Sequence, residues 1–371
     1  MFFFYILSAY FIPAIYVYFR IIYLLIPKGR KIIFTLVFLL LISAFPVTEL
    51  LLHEETSTFF IPLARFGYYT MPYMLYLFLL VLLFDIFLLL NLFIQWLPKG
   101  YIRSASFRKT GLISAIIIPC LVVIYGIFNF NHIRTSEYSI NVPGKSSTLQ
   151  NLKIAFVSDF HIGDMTSQKF VERFVHKMKE IQPDIIFFGG DILEGDREDI
   201  RMSRIEELFN ELDAKYGIHG VYGNHEHHGR RSSISFYNNT GISILQDTVI
   251  LIDHSFYLGG RKDSRNRDRL SIDDLITDLL DHYPIILMDH RPGDIQAVSQ
   301  TKVDIQLSGH THHGQLFPFN FITSDIYEIS WGHEIIGNTH FFVTSGIQLW
   351  GPPVRTVGKS EITVINVRFI Q

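Results

Sequence analysis

Four long apolar segments occupy the N-terminal third of this 371-residue sequence, and they restrict its fold more than any other feature. Each is roughly 20 residues or longer, which is the length of helix that crosses the hydrocarbon core of a bilayer. Nearly all Asp, Glu and His residues of the chain come after Asn131. We therefore predict an all-α, multi-pass membrane bundle over residues 1–132, with spans at about Phe2–Leu25, Ile32–Leu52, Tyr69–Leu97 and Gly111–Phe130.

The basic residues between these spans predict how they are oriented. Lys28, Arg30 and Lys31 separate the first span from the second, and a further basic loop separates the third from the fourth. Because basic loops remain in the cytoplasm, both termini are expected outside it. The C-terminal half is then expected in the periplasm or at the cell exterior. One span more or fewer would reverse this prediction.

Three charged residues lie within or beside the apolar segments: Arg20, Glu49 and Asp85. A charge within a bilayer is costly unless it is paired, so these residues are functional candidates, and Arg20 and Asp85 are candidates for one ion pair. The alternative is that Glu49 lies at the interface and Arg20 extends to the headgroups.

Composition adds a few limits. The single cysteine, Cys120, excludes an intrachain disulfide and a thiolate metal site. The net charge of −3 gives no indication of a nucleic-acid partner. Residues 133–150 are polar and contain Pro143 and Gly144, so we predict a linker there.

From residue 151 to 371, short apolar runs alternate with segments of helical spacing, which predicts an α/β domain. Five of its predicted strands end in a polar cluster: Ser158–His161, Gly189–Asp191, Gly223–Glu226, Asp289–Pro292 and Gly309–His312. Taken singly, each cluster is an ordinary turn signal. Since loops at the carboxyl ends of strands gather at one edge of such a fold, the five together indicate a ligand site. Imidazole and carboxylate groups in this combination favour a metal site.

The order of these motifs, Asp-x-His, Gly-Asp, Gly-Asn-His-Glu, His and Gly-His-Thr-His, resembles the calcineurin-like metallophosphoesterase superfamily. The tail also looks like the bacterial membrane-linked subgroup of that superfamily, in Val343-Thr-Ser-Gly-Ile, Pro352-Pro353-Val354-Arg355 and Glu361-Ile362. The resemblance covers Asn151 to the C-terminus. It implies an α/β fold of two mixed β-sheets flanked by helices, a four-layer αββα sandwich. The chain departs from the subgroup at His313, where glycine is usual, and in the charged stretch Arg261–Arg269.

The resemblance also implies a site with two metal ions that share one carboxylate. One ion would be held by Asp159, His161, Asp191 and His312. The other would be held by Asp191, Asn224, His290 and His310. Such a mixed ligand set favours divalent Mn, Fe or Zn, and two bridged ions would activate a hydroxide for attack on phosphorus. His225 is the expected general acid. Glu194 is expected to orient it, the alternative being a solvated loop acid.

Several further residues are expected near the site without being ligands. His227, His228, His313 and His333 are predicted to be loop or rim residues. Arg291 and Arg355 are candidates for phosphate binding, but a surface or structural role is the favoured interpretation for both.

These observations predict a membrane-anchored hydrolase of a phosphomonoester, phosphodiester or pyrophosphate. Membrane attachment favours a lipid-borne phosphate, so membrane lipids are expected partners. A protein phosphatase or a nuclease on the same site is an alternative, although basic residues beyond Arg261–Arg269 are too few to favour nucleic acid. An alternative of another class is a sensor or transporter whose C-terminal domain only binds metal or phosphate.

Overall fold

The computed structural model describes residues 2–52, 61–163, 166–194, 200–226 and 230–370. The chain divides into two compact units. The first comprises Met1–Phe128 with Gly351–Thr356, and the second comprises Asn129–Trp350 with Val357–Gln371.

The described residues of the N-terminal part form helices joined by short loops. Its helices are α1 (Phe2–Leu24), α2 (Lys31–Leu52), α3 (Ile61–Ile94), α4 (Lys99–Arg103) and α5 (Ala105–Asn131). Three segments, Lys28–Glu49, Ile61–Ile94 and Ala105–Asn131, are long and apolar enough to cross a membrane, and Ser8–Leu24 is a shorter apolar helix.

Each predicted apolar segment lies largely within a helix, but among the described residues three segments and not four meet the criteria for a membrane span, and α3 begins before the predicted Tyr69. Arg65 and Gly67 interrupt the apolar pattern there without ending the helix. Many aliphatic side chains of these helices are exposed, including Leu40 at 73% and Leu121 at 61%. Lipid is the solvent in which so much exposed apolar surface is stable, because water disfavours patches of that size.

The expected ion pair within the first unit is present. Arg20 of α1 donates to one carboxylate oxygen of Asp85 in α3, and the Tyr16 hydroxyl donates to the other. Pairing offsets the cost of holding either charge in an apolar environment, and it connects two of the helices.

The second unit alternates strands and helices. Its strands are β1 (Ile133–Pro143), β2 (Asn151–Val157), β3 (Ile185–Phe188), β4 (Ile218–Gly220), β5 (Ser243–Ile244), β6 (Thr248–Ile252), β7 (Phe256–Gly260), β8 (Ile285–Met288), β9 (Ile305–Ser308), β10 (Gly332–Ile336), β11 (Thr339–Val343) and β12 (Ser360–Ile370). Its helices are α6 (Gln168–Ile181), α7 (Ile200–Phe209), α8 (Arg230–Asn239), α9 (Ile272–Ile276), α10 (Ile295–Ser299) and α11 (Phe319–Ile326).

These strands form two mixed, six-stranded sheets. The first has the order β1-β12-β2-β3-β4-β5, and the second has the order β10-β11-β9-β8-β7-β6. In each sheet four consecutive strands are parallel, β2 to β5 in the first and β11, β9, β8 and β7 in the second.

The core consists of three apolar layers. Phe156 and Phe187 of the first sheet pack with Met288 and Leu307 of the second, so the two sheets lie face to face. The outer face of the first sheet is covered by side chains of α6 such as Phe174. Side chains of α9 and α10 cover the outer face of the second sheet. The predicted αββα sandwich is thus confirmed.

The prediction of a linker over residues 133–150 is wrong for Ile133–Pro143, which form strand β1. This strand pairs in parallel with β12 from Ile133↔Ser360 to Pro143↔Ile370. Ile140 and Val142 face the core, while Glu137, Asn141 and Pro143 are exposed. Because alternate residues of an edge strand face solvent, its composition is that of a loop although its periodicity is that of a strand.

Candidate metal centre

The predicted ligands converge where strands of both sheets end. Asp159 follows β2, Asp191 follows β3 and Asn224 follows β4, all in the first sheet. His290 follows β8, and His310 and His312 follow β9, in the second sheet. Since the sheets lie face to face, their carboxyl ends bring these five loops to one place.

The structure groups the donor atoms in three overlapping clusters. Within each cluster the atoms lie within 4.8 Å of one another. The clusters are Asp159, His161 and His312; His161, Asp191 and His225; and Asp191, His290 and His310. Asp191 thus lies between the two groups of ligands expected from the sequence. His225 is also within reach of a metal, although the sequence predicts an acid role for it.

In the first group, His312 is the central residue. Its Nε2 atom lies 3.3 Å from Nε2 of His161 and 3.7 Å from Oδ1 of Asp159. The Nε2 atom of His161 is 4.0 Å from Oδ2 of Asp191. Asp159 and His161 are buried, whereas His312 is half-buried, so this group opens towards the surface.

In the second group, His290 is fully buried and oriented by the main chain. Its Nδ1–H donates to the carbonyl oxygen of Gly189 at 2.8 Å, which leaves Nε2 at 3.1 Å from Oδ2 of Asp191. The Oδ1 atom of Asn224 is buried and has no hydrogen-bond partner among the described residues. A buried polar atom without a partner is costly, and a divalent cation would satisfy this oxygen together with the neighbouring imidazoles and carboxylate.

The backbone of the ligand loops is strained in a consistent way. Five predicted ligands have a positive φ between 46° and 69°, namely Asp159, His161, Asp191, His310 and His312. Such values are uncommon for residues other than glycine, and they cluster at functional sites where the surrounding structure enforces them.

Two glycines allow the loops to approach one another. A Cβ atom on Gly223 would lie 2.1 Å from Oδ1 of Asp191. A Cβ atom on Gly309 would lie 2.0 Å from Oγ of Ser158 and 2.4 Å from Oδ2 of Asp159. Glycine is required at both positions by this close packing.

Glu194 connects the first group of ligands to His225. The Nδ1–H of His161 donates to one carboxylate oxygen at 2.8 Å, and the Nδ1–H of His225 donates to the other at 2.9 Å. Carboxylates that accept from Nδ1 in this way fix the tautomer and aim Nε2 into a metal site. Glu194 thus accepts a hydrogen bond from each of these two imidazoles, which is the geometry expected of an orienting group.

Glu226 is a functional residue that the sequence reasoning missed. Its buried carboxylate accepts from five donors: the backbone N–H groups of Asp191, Ile192, Leu193 and Gly223 and the hydroxyl of Tyr237. These contacts join the loop of Asp191 to the loop of Asn224. The motif places Glu226 beside His225, but sequence alone does not indicate that its side chain faces inward.

The charged stretch Arg261–Arg269 holds the loop of His290. Arg261 is buried and donates to Asp289 at 3.0 Å and to Asp294 at 2.8 Å. Arg269 donates to Asp289 at 2.6 Å. Both arginines are paired with carboxylates in this network, which fixes the residue that precedes His290.

Charge and burial oppose each other within the site. Burial lowers the pKa of His290, but the carboxylate of Asp191 outweighs this effect and raises the pKa to about 10. Burial and the neighbouring His290 lower the pKa of His310 to about 3. Burial raises the pKa of Glu194, but hydrogen bonds from His161 and His225 outweigh it and lower the pKa to about 2. Asp191 and Glu194 are thus ionised at neutral pH, and their negative charge is what a cation site requires.

The remaining candidates have structural contacts. The Nδ1 atom of His313 lies 3.1 Å from Oγ of Ser330, and His333 lies 3.0 Å from Nδ1 of His340. Arg291 donates to Asp263 at 2.8 Å, and Arg355 is fully buried. His227 and His228 lie outside the described residues.

Comparison with known proteins agrees with this geometry. Residues 152–314 match the family of calcineurin-like phosphoesterases. Residues 152–314 form a calcineurin-like metallophosphoesterase domain. The match begins in β2 and ends just after the ligand loop of His312, so it includes the described ligands of both groups.

Relatives of this metallophosphoesterase domain occur in bacteria and animals. A metallophosphoesterase of Helicobacter pylori is 30% identical over 225 residues, which cover 59% of this chain and 60% of that protein. The metallophosphoesterase YkuE of Bacillus subtilis is 28% identical, with coverage of 64% and 86%. A transmembrane protein with a metallophosphoesterase domain from Danio rerio is 26% identical, with coverage of 72% and 64%. The three apolar helices and such transmembrane relatives support membrane association.

Proposed function

We propose that this protein is a multi-pass membrane enzyme that hydrolyses a phosphoester or pyrophosphate with two divalent metal ions. The observation that carries the proposal is the position of Asp191. Its carboxylate is shared by two clusters of imidazole and carboxylate donors, one of which includes His161 and the other His290 and His310. A shared carboxylate is the arrangement that holds two ions close together.

The nitrogen and oxygen donors of the site suit two divalent metal ions. Asp159, His161, Asp191 and His312 would hold one ion, and Asp191, Asn224, His290 and His310 would hold the other. Mn, Fe or Zn suits this mixture of nitrogen and oxygen donors. When bound, such ions act as Lewis acids that acidify water and neutralise charge on phosphoryl oxygens.

His225 is the proposed proton donor to the leaving oxygen. Its Nδ1–H is held by Glu194, so its Nε2 faces the site, 3.9 Å from Oδ2 of Asp191. The hydrogen bond to Glu194 also restricts the rotation of the ring, as an orienting carboxylate does. The fraction of the His225 side chain that is exposed, 22%, leaves a path for the leaving group.

We propose that the substrate is a lipid-borne phosphate and that the enzyme cleaves it outside the cytoplasm. The basic loops between the spans support an orientation in which the C-terminal unit faces the periplasm or the cell exterior. Membrane association raises the concentration of lipid phosphates relative to soluble esters. The ring of Trp350, 46% exposed, lies 6.3 Å from that of His225 and offers an apolar surface for the leaving group.

Hydrolysis by the purified full-length protein tests this proposal. We expect Mn²⁺-dependent cleavage of bis-p-nitrophenyl phosphate, and we expect Asp191→Ala to abolish it because both metal sites lose a ligand. Equal inactivity of the wild type and Asp191→Ala with every metal and ester type would refute it. Reporter fusions after Phe130 test the orientation, and cytoplasmic-type signals would contradict it.

The role of His225 has its own test. We expect His225→Gln to lower kcat by roughly 10²–10⁴-fold for an ester with a poor, alkoxide leaving group. The decrease should be much smaller for a p-nitrophenyl ester, because p-nitrophenolate leaves without protonation. The same decrease for both esters would show that His225 does not act as the acid.

A further inference from the structure

Helix α11 presents an apolar surface immediately after the ligand loop of His312. None of its residues is buried. The exposed fractions are 38% for Phe319, 65% for Phe321, 57% for Ile322 and 67% for Ile326. A contiguous group of large, exposed apolar side chains on a soluble domain indicates a surface that binds something apolar.

Two polar residues of the helix lie towards the protein, while Ser324 and Asp325 are exposed. Asn320 and Thr323 are half-buried, whereas their apolar neighbours are exposed. The hydroxyl of Ser324 lies 3.1 Å from that of Ser330. An ordinary surface helix buries its apolar side and exposes its polar side. α11 instead leaves all its apolar side chains unburied, which indicates a surface suited to an apolar environment.

Contacts with the ligand loop fix the position of α11. The hydroxyl of Thr311, which lies between His310 and His312, donates to the carbonyl oxygen of Ser330 at 2.6 Å. The ring of Tyr327, which follows α11 directly, lies 6.0 Å from that of His310. The apolar face is therefore held at a constant distance from the metal ligands.

We propose that the outer face of α11 inserts into the interfacial layer of the lipid bilayer and contacts acyl chains. The chain already associates with a membrane, and α5 ends at Asn131 while β1 begins at Ile133, so the connection between helix and domain is very short. α11 carries one charged residue, Asp325, and no basic residue. Its attraction to the bilayer is thus apolar and not electrostatic. The proposal depends on membrane association and does not depend on catalysis.

Site-directed fluorescence on the full-length protein tests this surface. Cys120 is the single cysteine, so Cys120→Ser provides a background for new labelling sites. Ile322→Cys carries an NBD probe on α11, and Leu280→Cys is the matched control, because both side chains are 57% exposed. Each labelled protein is reconstituted in vesicles of phosphatidylethanolamine and phosphatidylglycerol that contain doxyl-labelled phosphatidylcholine.

We expect blue-shifted emission at position 322 and several-fold stronger quenching by doxyl lipid than at position 280. The Leu280 probe should instead be quenched by aqueous iodide. Phe321→Cys gives a second probe on α11 if the first variant folds poorly, and it should behave like the first. Iodide quenching at both α11 positions would refute the proposal. Protection from iodide without quenching by doxyl lipid would also refute it, since another protein surface would then cover α11.

Discussion

Replacing Glu226 by glutamine tests whether one buried carboxylate holds the metal loops together. Three of its five donors reach Oε1 and two reach Oε2, at distances of 2.6–3.3 Å. Glutamine offers one oxygen and one NH₂ group, so at least two donors face an NH₂ in either orientation. Each buried donor left without an acceptor costs about 1–3 kcal/mol, so the variant should lose about 2–6 kcal/mol of unfolding free energy.

That loss is measurable in the intact protein. It corresponds to a decrease in melting temperature on the order of 10 °C for a domain of this size. We would follow unfolding by tryptophan fluorescence in detergent and measure bound Mn by elemental analysis. Because Glu226 holds the backbone at Asp191, metal content should fall together with stability.

The matched control is Glu211→Gln. Glu211 pairs with Lys179 at 2.7 Å, but both side chains are about half exposed. Exposed ion pairs contribute little to stability, so this control should have the same melting temperature as the wild type. If Glu226→Gln had the melting temperature of the control and the metal content of the wild type, the inference that Glu226 joins the two loops would be wrong.

Three further predictions follow from the site and its surroundings. Glu194→Gln should weaken metal binding or activity by roughly 10–100-fold, because the carboxylate orients two imidazoles; unchanged metal titration would contradict this. Gly309→Ala should reduce metal content, since the added methyl group would meet a side chain at 2.0 Å, whereas Gly293→Ala, with nothing within 4 Å, should match the wild type. Burial lowers the pKa of His333 and of His340. Both histidines therefore bind protons more tightly in the unfolded chain than in the folded protein. Their contribution to the free energy of unfolding is complete above about pH 6.5 and decreases below it. His340→Gln should reduce that decrease in melting temperature, and an identical pH profile would count against the assignment.

Much of the fold was predictable because burial leaves a periodic pattern. Strands β3 and β8 are continuous apolar runs, which is typical of strands buried on both faces, and the apolar spans are recognisable by their length. β1 could not be distinguished from a linker, since its alternation includes Ser136 and Tyr138 among the inward residues. β10 and α11 were also missed. Neither element has a buried residue, so no buried face imposes a recognisable period on them.

The ligands were predictable for a different reason. They follow strands directly, so the ends of the strands determine where they lie. The hydrogen bonds that support the ligand loops are not determined by the ends of the strands. The five donors of Glu226 and the pairing of Arg261 with Asp289 depend on loops far apart in sequence. The sequence indicates which side chains can ionise, but the tertiary packing determines which carboxylate each arginine pairs with.

The pairing of β1 with β12 has a consequence for how the protein is made. β1 is the first strand to leave the ribosome, directly behind α5, yet its neighbour in the sheet is the last strand of the domain. Every other strand and every metal ligand must be synthesised before β1 can be hydrogen-bonded. During translation β1 is therefore an unpaired edge, and closure of the first sheet requires synthesis of β12.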